Sequence, residues 1–369
     1  MDTACLVRRP TVLLATLAAW ILVAGCSDSP AEGPVPVPDA VRDARIDVEA
    51  SFEAIVAANP PTTGTLVGAD GPIRKTPTPV QWGLQNTFHP GVDIGWQENL
   101  VTPPVRIALL DESFDVDAPG LKHAFTEGIN LVEPDKPLWS AHRDGFHHGN
   151  MVASIIANRP VGPVAPLGAL ASSPVELIPI VAAGGSGPAW RTPRATPELI
   201  LAGLRHALQA GADIINISAG VDVSAEELAG LASDPVWGQL EAAGIPVVCA
   251  AGNDGRNIDD HPFFPACVDR PNVIAVMAIG PAGQPAVRTT AAGRLVNGTN
   301  WGQRTVDVAA PGGVIEIQAR ADRPQLVDGT SAAAAFVSAA LASTGDPLIR
   351  PLPELDGRCR TGGIIRLQP

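Results

Sequence analysis

Four side chains in this sequence stand where local pattern would present them for chemistry: a hydroxyl, an imidazole, a carboxylate and a carboxamide. Ser331 follows Gly329-Thr330 and opens an Ala-rich run, Ala332 to Ala335, that continues as Phe336-Val337-Ser338-Ala339-Ala340-Leu341. The run predicts a helix, and a hydroxyl in its first turn benefits from the helix's positive end. A Gly-Thr turn lets the backbone come close to whatever that hydroxyl attacks. His148 heads an apolar helical pattern reaching Asn158, and Gly149 leaves room beside its ring. Asp111 closes the run Arg106-Ile107-Ala108-Leu109-Leu110, so its carboxylate is desolvated enough to act strongly on a neighbour. Asn253 ends Val248-Cys249-Ala250-Ala251-Gly252, and its amide could donate to an oxyanion. A nucleophile, a base, an orienting acid and an anion donor are the parts needed for acyl transfer. Each has a bland reading too. Gly-Thr-Ser is a common turn, and an aspartate at a strand end is more often a cap.

The surrounding pattern supplies elements to position them. Val105 to Leu110, Pro174 to Val181, Asp213 to Ser218, Val247 to Ala251, Val273 to Ile279 and Val306 to Ala309 read as strands. Between them lie helices with clear punctuation. Thr196-Pro197 is an N-cap and N1 pair with Glu198 in the first turn, and Gly211 is a stop glycine. Ser224 to Glu227 is a capping box, and Asp234-Pro235 starts a helix that ends near Gly244. Apolar strands alternating with helices predict an α/β fold, with a mostly parallel central sheet covered on both faces. In such sheets sites gather at the carboxyl ends of strands, where Asp111, Ser218 and Asn253 fall.

The order Asp, His, Asn, Ser, together with its local motifs, reaches a family. From about Gln81 to Ala342 the chain resembles the subtilisin-like serine peptidases. Leu110-Asp111 matches their aspartate motif and His148-Gly149 their histidine motif. Asn216-Ile217-Ser218-Ala219-Gly220 resembles their substrate-binding strand, and Ala250-Ala251-Gly252-Asn253 their oxyanion motif. Gly329-Thr330-Ser331-Ala332-Ala333 matches the serine motif and Ala309-Ala310-Pro311-Gly312 the segment before it. Gln81-Trp82-Gly83-Leu84 looks like the start of the mature domain.

The resemblance implies a three-layer subtilisin-like fold and hydrolysis of peptide bonds. Ser331 would attack the carbonyl, His148 take its proton, and Asp111 fix the imidazole tautomer. Asn253 and the Ser331 N–H would hold the oxyanion. Ser218, Ala219 and Gly220 would pair with the substrate backbone as an added strand. Small residues there and at Ala250, Ala251 and Gly252 leave an open pocket, an expectation of apolar P1 side chains. The chain also departs from the family pattern. Glu112 and Ser113 follow the aspartate where Ser or Thr and then Gly are usual, and Asn150 and Met151 stand for Thr and His. Ala332 and Ala335 stand for Met and Pro. Glu112, if it points inward, would raise a neighbouring pKa by like-charge repulsion.

The whole chain sets further bounds. Its 369 residues carry a net charge of -13 and are 46% hydrophobic, which suits a large core and argues against a nucleic-acid partner. Arg8 and Arg9, then the apolar Thr11 to Gly25, read as an export signal too short to span a membrane. Val23-Ala24-Gly25-Cys26 resembles a bacterial lipobox, with Cys26 lipidated. The predicted division is a signal at 1–25, a Pro-rich linker or short pro-segment at 26–78, a peptidase domain at 79–345 and a tail at 346–369, whose Arg358 to Pro369 segment is open between a late strand and a loose end. Within the linker, Val41 to Ala58 is a helical candidate. Ser27 after the cysteine points to an exported envelope lipoprotein, at the outer membrane or cell surface. Cys249 reads as a core thiol, and Cys267 and Cys359 leave one disulfide open.

Other signals are weaker. His142, His147 and His148 fit a metal less well than a His-rich loop. Asp254, Asp259 and Asp260 read by default as a solvated turn, and the resemblance leaves a structural calcium open. No cofactor is needed for the chemistry. Asn297-Gly298-Thr299 fits a sequon that a bacterial lipoprotein would not use. Two competing readings stand beside the endopeptidase. One is a weak or inactive relative that binds peptides at the envelope. The other is the sedolisin type of acid peptidase, which shares Gly-Thr-Ser but uses a glutamate base, against His148 and Asn253.

Overall fold

The computed structural model describes residues 66–68, 71–73, 104–138, 147–159, 161, 168–184, 195–280, 283–289, 295–313, 315–317, 325–345 and 347–366. The signal, Cys26, the Val41 to Ala58 candidate, Gln81 to Leu84 and His142 lie outside them.

A nine-stranded sheet organises the domain. In chain order its strands are β1 (Val105–Asp111), β2 (Ile129–Asn130), β3 (Val175–Val181), β4 (Ile214–Ile217), β5 (Val247–Ala250), β6 (Val273–Ile279), β7 (Val308–Pro311), β8 (Leu348–Pro351) and β9 (Gly363–Arg366). In space they run β8-β9-β7-β6-β5-β4-β1-β3-β2. All neighbouring pairs are parallel except β8 with β9. Among the described residues the α-helices are α1 (His148–Ala157), α2 (Pro197–Gln209), α3 (Ala225–Ala232), α4 (Pro235–Ala242) and α5 (Thr330–Thr344).

Successive strand residues face opposite sides of a sheet. Leu110 of β1 meets Gly203 of α2, where a Cβ would come 2.6 Å from its Cδ2. Asp111, one residue on, meets His148 of α1. Helices α1 and α2 therefore cover opposite faces. α5 packs against α1 and against β4 to β7. It is buried from Thr330 to Leu341. A helix surrounded by protein must be apolar and small all round, which the Ala-rich run supplies.

The capping signals appear as read. Thr196 Oγ1 accepts from Leu199 N–H at 3.3 Å. Ser224 and Glu227 form the reciprocal box. Gly211 and Gly244 take φ of 70° and 68°, the left-handed turn that ends a helix. The sheet differs from the sequence reading in places, and β2 has no counterpart in that reading. β7 lies two residues later than Val306 to Ala309. The segment set aside as a tail supplies β8 and β9, with β9 paired to β7 at Ala309↔Ile364. The sheet, and so the domain, extends past residue 345. Cys249, Cys267 and Cys359 are free thiols, so the disulfide left open is not formed.

The chain reverses direction across the sheet beside β1. From β1 it goes out to β2 and β3, then crosses to β4 on the other side and continues to β7. A crevice opens at the carboxyl ends of strands flanking such a switch. Register brings the ends level: Leu110 pairs with Ile217, and Ile217 with Cys249. Asp111, Ser218 and Ala250 thus follow at one height on three adjacent strands.

Candidate active site

Asp111 is buried to 1% exposure, and its Oδ1 accepts twice. The Glu112 N–H donates to it at 2.7 Å, and His148 Nδ1 lies 2.7 Å away. Oδ2 is buried and has no partner among the described residues. The carboxylate's charge is therefore offset mainly through the imidazole. His148 keeps 24% of its side chain exposed, so the ring bridges the interior and the crevice. Burial disfavours the imidazolium, but the Asp111 charge and hydrogen bond, with a smaller push from Glu112, outweigh it and raise the pKa to about 9.

Glu112 itself is exposed. The inward orientation considered for it does not occur, and it acts on the ring from outside. Ser113 turns in instead, its Oγ 3.3 Å from His147 Nδ1. Gly149 is required by the packing, since a Cβ there would stand 2.3 Å from Phe114 Cε1. Asn150, fully buried, holds the loop after Asp111 by both ends of its amide. Its Oδ1 accepts from Asp115 N–H at 2.8 Å, and its Nδ2 donates to the Asp115 carbonyl at 2.9 Å. The unusual residue thus ties the aspartate loop to the histidine helix.

Ser331 occupies the second position of α5, 6% exposed. Gly329 before it has φ of 140°, and a Cβ there would press on the Asn253 amide at 3.2 Å. Ser331 Oγ donates to the Ser218 carbonyl at 3.5 Å. Hydrogen bonds between nucleophile and base often tighten only when substrate binds. A second-position N–H has no acceptor within its own helix, so the Ser331 amide is available to an anion.

Asn253 is oriented by Thr330. Its Oδ1 accepts from the Thr330 N–H at 2.9 Å and from Thr330 Oγ1 at 3.2 Å. A backbone donor must meet the oxygen end of the amide, which leaves the NH2 end free to donate elsewhere. Thr330 Oγ1 in turn accepts from Gly252 N–H at 3.1 Å. From the other side, buried Asn300 donates to the Ala251 carbonyl at 2.9 Å and accepts from the Asp254 and Arg256 N–H groups. Asn300 and Thr330 both shape the Asn253 loop. Nothing in the sequence marked Asn300 beyond its place next to the sequon.

The substrate-strand residues gather here as well. Ser218 N–H donates to the Leu110 carbonyl at 3.2 Å, which ties it to the Asp111 strand. Asn216 donates to Ser218 Oγ and accepts from Ser338 Oγ of α5, both at 2.9 Å. Ala250, Ala251 and Gly252 are buried. The slot between the two segments is not open, however. Phe263 places its ring edge against both Gly220 and Gly252. The carboxylates read as a turn have protein partners. Asp259 accepts from the Arg304 and Thr305 N–H groups, Asp260 from Asn257, and Asp254 faces Arg256. Among the described residues no three metal-ligating side chains cluster.

Comparison with known proteins decides the family, because residues 103–346 match the model of the subtilase family. The chain belongs to the subtilases. This subtilase is a serine-type peptidase. It is similar to the major intracellular serine protease of Bacillus subtilis (strain 168), 29% identical over 253 residues, with 67% of this chain and 70% of that protein covered. It is also similar to an intracellular serine protease of Paenibacillus polymyxa, 31% identical over 245 residues, covering 64% of this chain and 65% of that one. Among solved structures, the prenylagaramide maturation protease PagA aligns with 23% identity and a TM-score of 0.47, over 66% of this chain and 76% of its own.

Proposed function

We propose that this subtilase is an exported, lipid-anchored endopeptidase in which Asp111, His148 and Ser331 form the triad. The 2.7 Å contact between His148 Nδ1 and Asp111 Oδ1 carries the reading. It keeps the Nδ1 proton on the aspartate side and leaves Nε2 free to take the proton of Ser331. Ser331 Oγ then bonds to the peptide carbonyl carbon, and the anion is held by the Asn253 NH2 and the Ser331 N–H. His148 passes its proton to the leaving amine, and water repeats the sequence to release the acid. Ser218 to Gly220 bind the substrate backbone. A fluorophosphonate probe should label Ser331 and fail to label Ser331→Ala. A folded wild-type protein that takes no label refutes the assignment.

Removing the amide of Asn253 tests the anion site. Asn253→Ala is expected to lower kcat by about 10²–10³-fold with KM little changed. A matched loss in KM alone would show that Asn253 binds the ground state instead.

The raised histidine pKa sets the pH behaviour. Only neutral His148 accepts a proton, so kcat/KM should rise with pH through about 9. Stability runs the other way. A folded pKa above the ordinary 6.5 contributes stability that is complete below 6.5 and lost as pH rises through about 9. Glu112→Gln should move the activity limb to lower pH. An activity optimum confined to strongly acid pH would instead point to the sedolisin type.

The leader through Cys26 is the ground for export and anchoring. The intracellular location in the names of two relatives is a property of those proteins. Fractionation of the native host, with Cys26→Ala as control, tests the anchor. Release of the wild-type chain to the soluble fraction would dismiss it.

A further inference from the structure

The slot beyond β4 and β5 holds an aromatic ring. These strands are neighbours, and the chain leaves them through Ser218-Ala219-Gly220 and Ala251-Gly252-Asn253. A short antiparallel pairing, Val221↔Phe264 and Asp222↔Phe263, brings Phe263 back to this place. Ring atoms Cε1 and Cζ lie 2.3 and 2.6 Å from where a Gly220 Cβ would stand. The same two atoms lie 3.2 and 3.3 Å from the Cβ position of Gly252. One ring edge therefore touches both segments, and Gly220 is tolerated there only because it has no side chain.

The ring is held in position. Phe263 N–H donates to Cys267 Sγ at 3.2 Å, and its carbonyl accepts from Cys267 N–H at 3.0 Å. The next residue, Phe264, is fully buried and packs edge-on against Trp237 with centroids 6.1 Å apart. The backbone under Phe263 cannot retreat without opening that core contact.

We propose that Phe263 determines specificity by occupying the recess that receives the P1 side chain, so that this peptidase cleaves after glycine, alanine or serine. The inference rests on the proposed triad and substrate strand. A carbonyl held between Ser331 and Asn253 sits at the mouth of the slot, since Ser331 Oγ contacts the Ser218 carbonyl and Asn253 follows Gly252. A peptide pairing with Ser218 to Gly220 alternates its side chains across the strand. The side chain next to that carbonyl enters the slot and meets the ring. A large P1 group must displace the ring or stay out, and overfilling a packed site is unfavourable.

The test is a peptide series identical except for Gly, Ala, Leu or Phe at P1. Wild-type kcat/KM should favour Ala over Phe by roughly 100-fold, the range that pocket size sets in apolar recesses. Phe263→Ala should reverse the order, and Phe263→Leu should fall between, which covers the case where the larger truncation unfolds the protein. Binding of the Ala and Phe peptides to Ser331→Ala reads the slot without turnover and should show the same bias. A wild type that prefers Phe or Leu, or that binds both peptides equally, overturns the role of Phe263. Absent turnover with the binding bias retained overturns the triad reading and leaves this one standing.

Discussion

Ser331→Ala should fold like the parent and lose about 10⁶-fold in kcat, the loss that removing a triad serine or histidine produces in enzymes of this type. Ser331 is nearly buried at the start of a helix already lined by Ala332 to Ala335, so alanine fits without a void of consequence. Among the described residues, only the weak 3.5 Å contact to the Ser218 carbonyl is lost. The Asn253 and Thr330 bonds that shape the anion site do not involve the hydroxyl, so residual turnover above water should survive from them. Single-turnover kinetics on a peptide anilide, with a melting curve as control, gives the result. Activity within tenfold of wild type in a folded variant means that another residue is the nucleophile.

Asp111→Asn is the next largest effect, a fall of about 10⁴-fold in kcat. The substitution keeps the shape and removes the charge. An amide oxygen left at Oδ1 would still receive Glu112 N–H and His148 Nδ1, but its NH2 would then sit at the buried Oδ2 place, which has no partner among the described residues. Turning the amide removes that orphan by donating to His148 Nδ1, at the loss of the Glu112 N–H bond to the same position. The imidazole proton must then lie on Nε2, where it blocks transfer from Ser331. The variant should also lose the alkaline position of its pH limb, since Asp111 is the main group that raises the histidine. A kcat within tenfold of wild type, or an unmoved limb, would remove Asp111 from the triad.

Much of this fold was legible because its signals are local. The run Val273–Ile279 reads as a strand and is one, buried throughout. Thr196, Ser224, Gly211 and Gly244 mark helix ends by chemistry that needs only their immediate neighbours. Asp111, His148, Asn253 and Ser331 were visible for the same reason, each in a motif of its own. What escaped depends on partners far along the chain. Asn150 answers to Asp115, and Asn300 to Ala251. Phe263 matters because of Gly220 and Gly252, and no periodicity in the Phe263 region says so. β8 escaped, and β9 stayed open between a strand and a loose end, because both are short, carry Arg350, Pro351 and Arg366, and become strands only against β7 and each other.

The position of α5 in the chain has a consequence for the life of the molecule. The helix that carries Ser331 is seated on β4 to β7 and on α1, all of which precede it in sequence. A ribosome emits chain at roughly 5–20 residues per second, so His148 and Asp111, the proposed base and its aspartate, emerge tens of seconds or less before Ser331, the proposed nucleophile. A fragment that ends before Ser331 lacks the proposed nucleophile, whatever part of the scaffold it already holds. Such a fragment cannot hydrolyse itself or its neighbours by this chemistry, and the delay is written into the order of the elements.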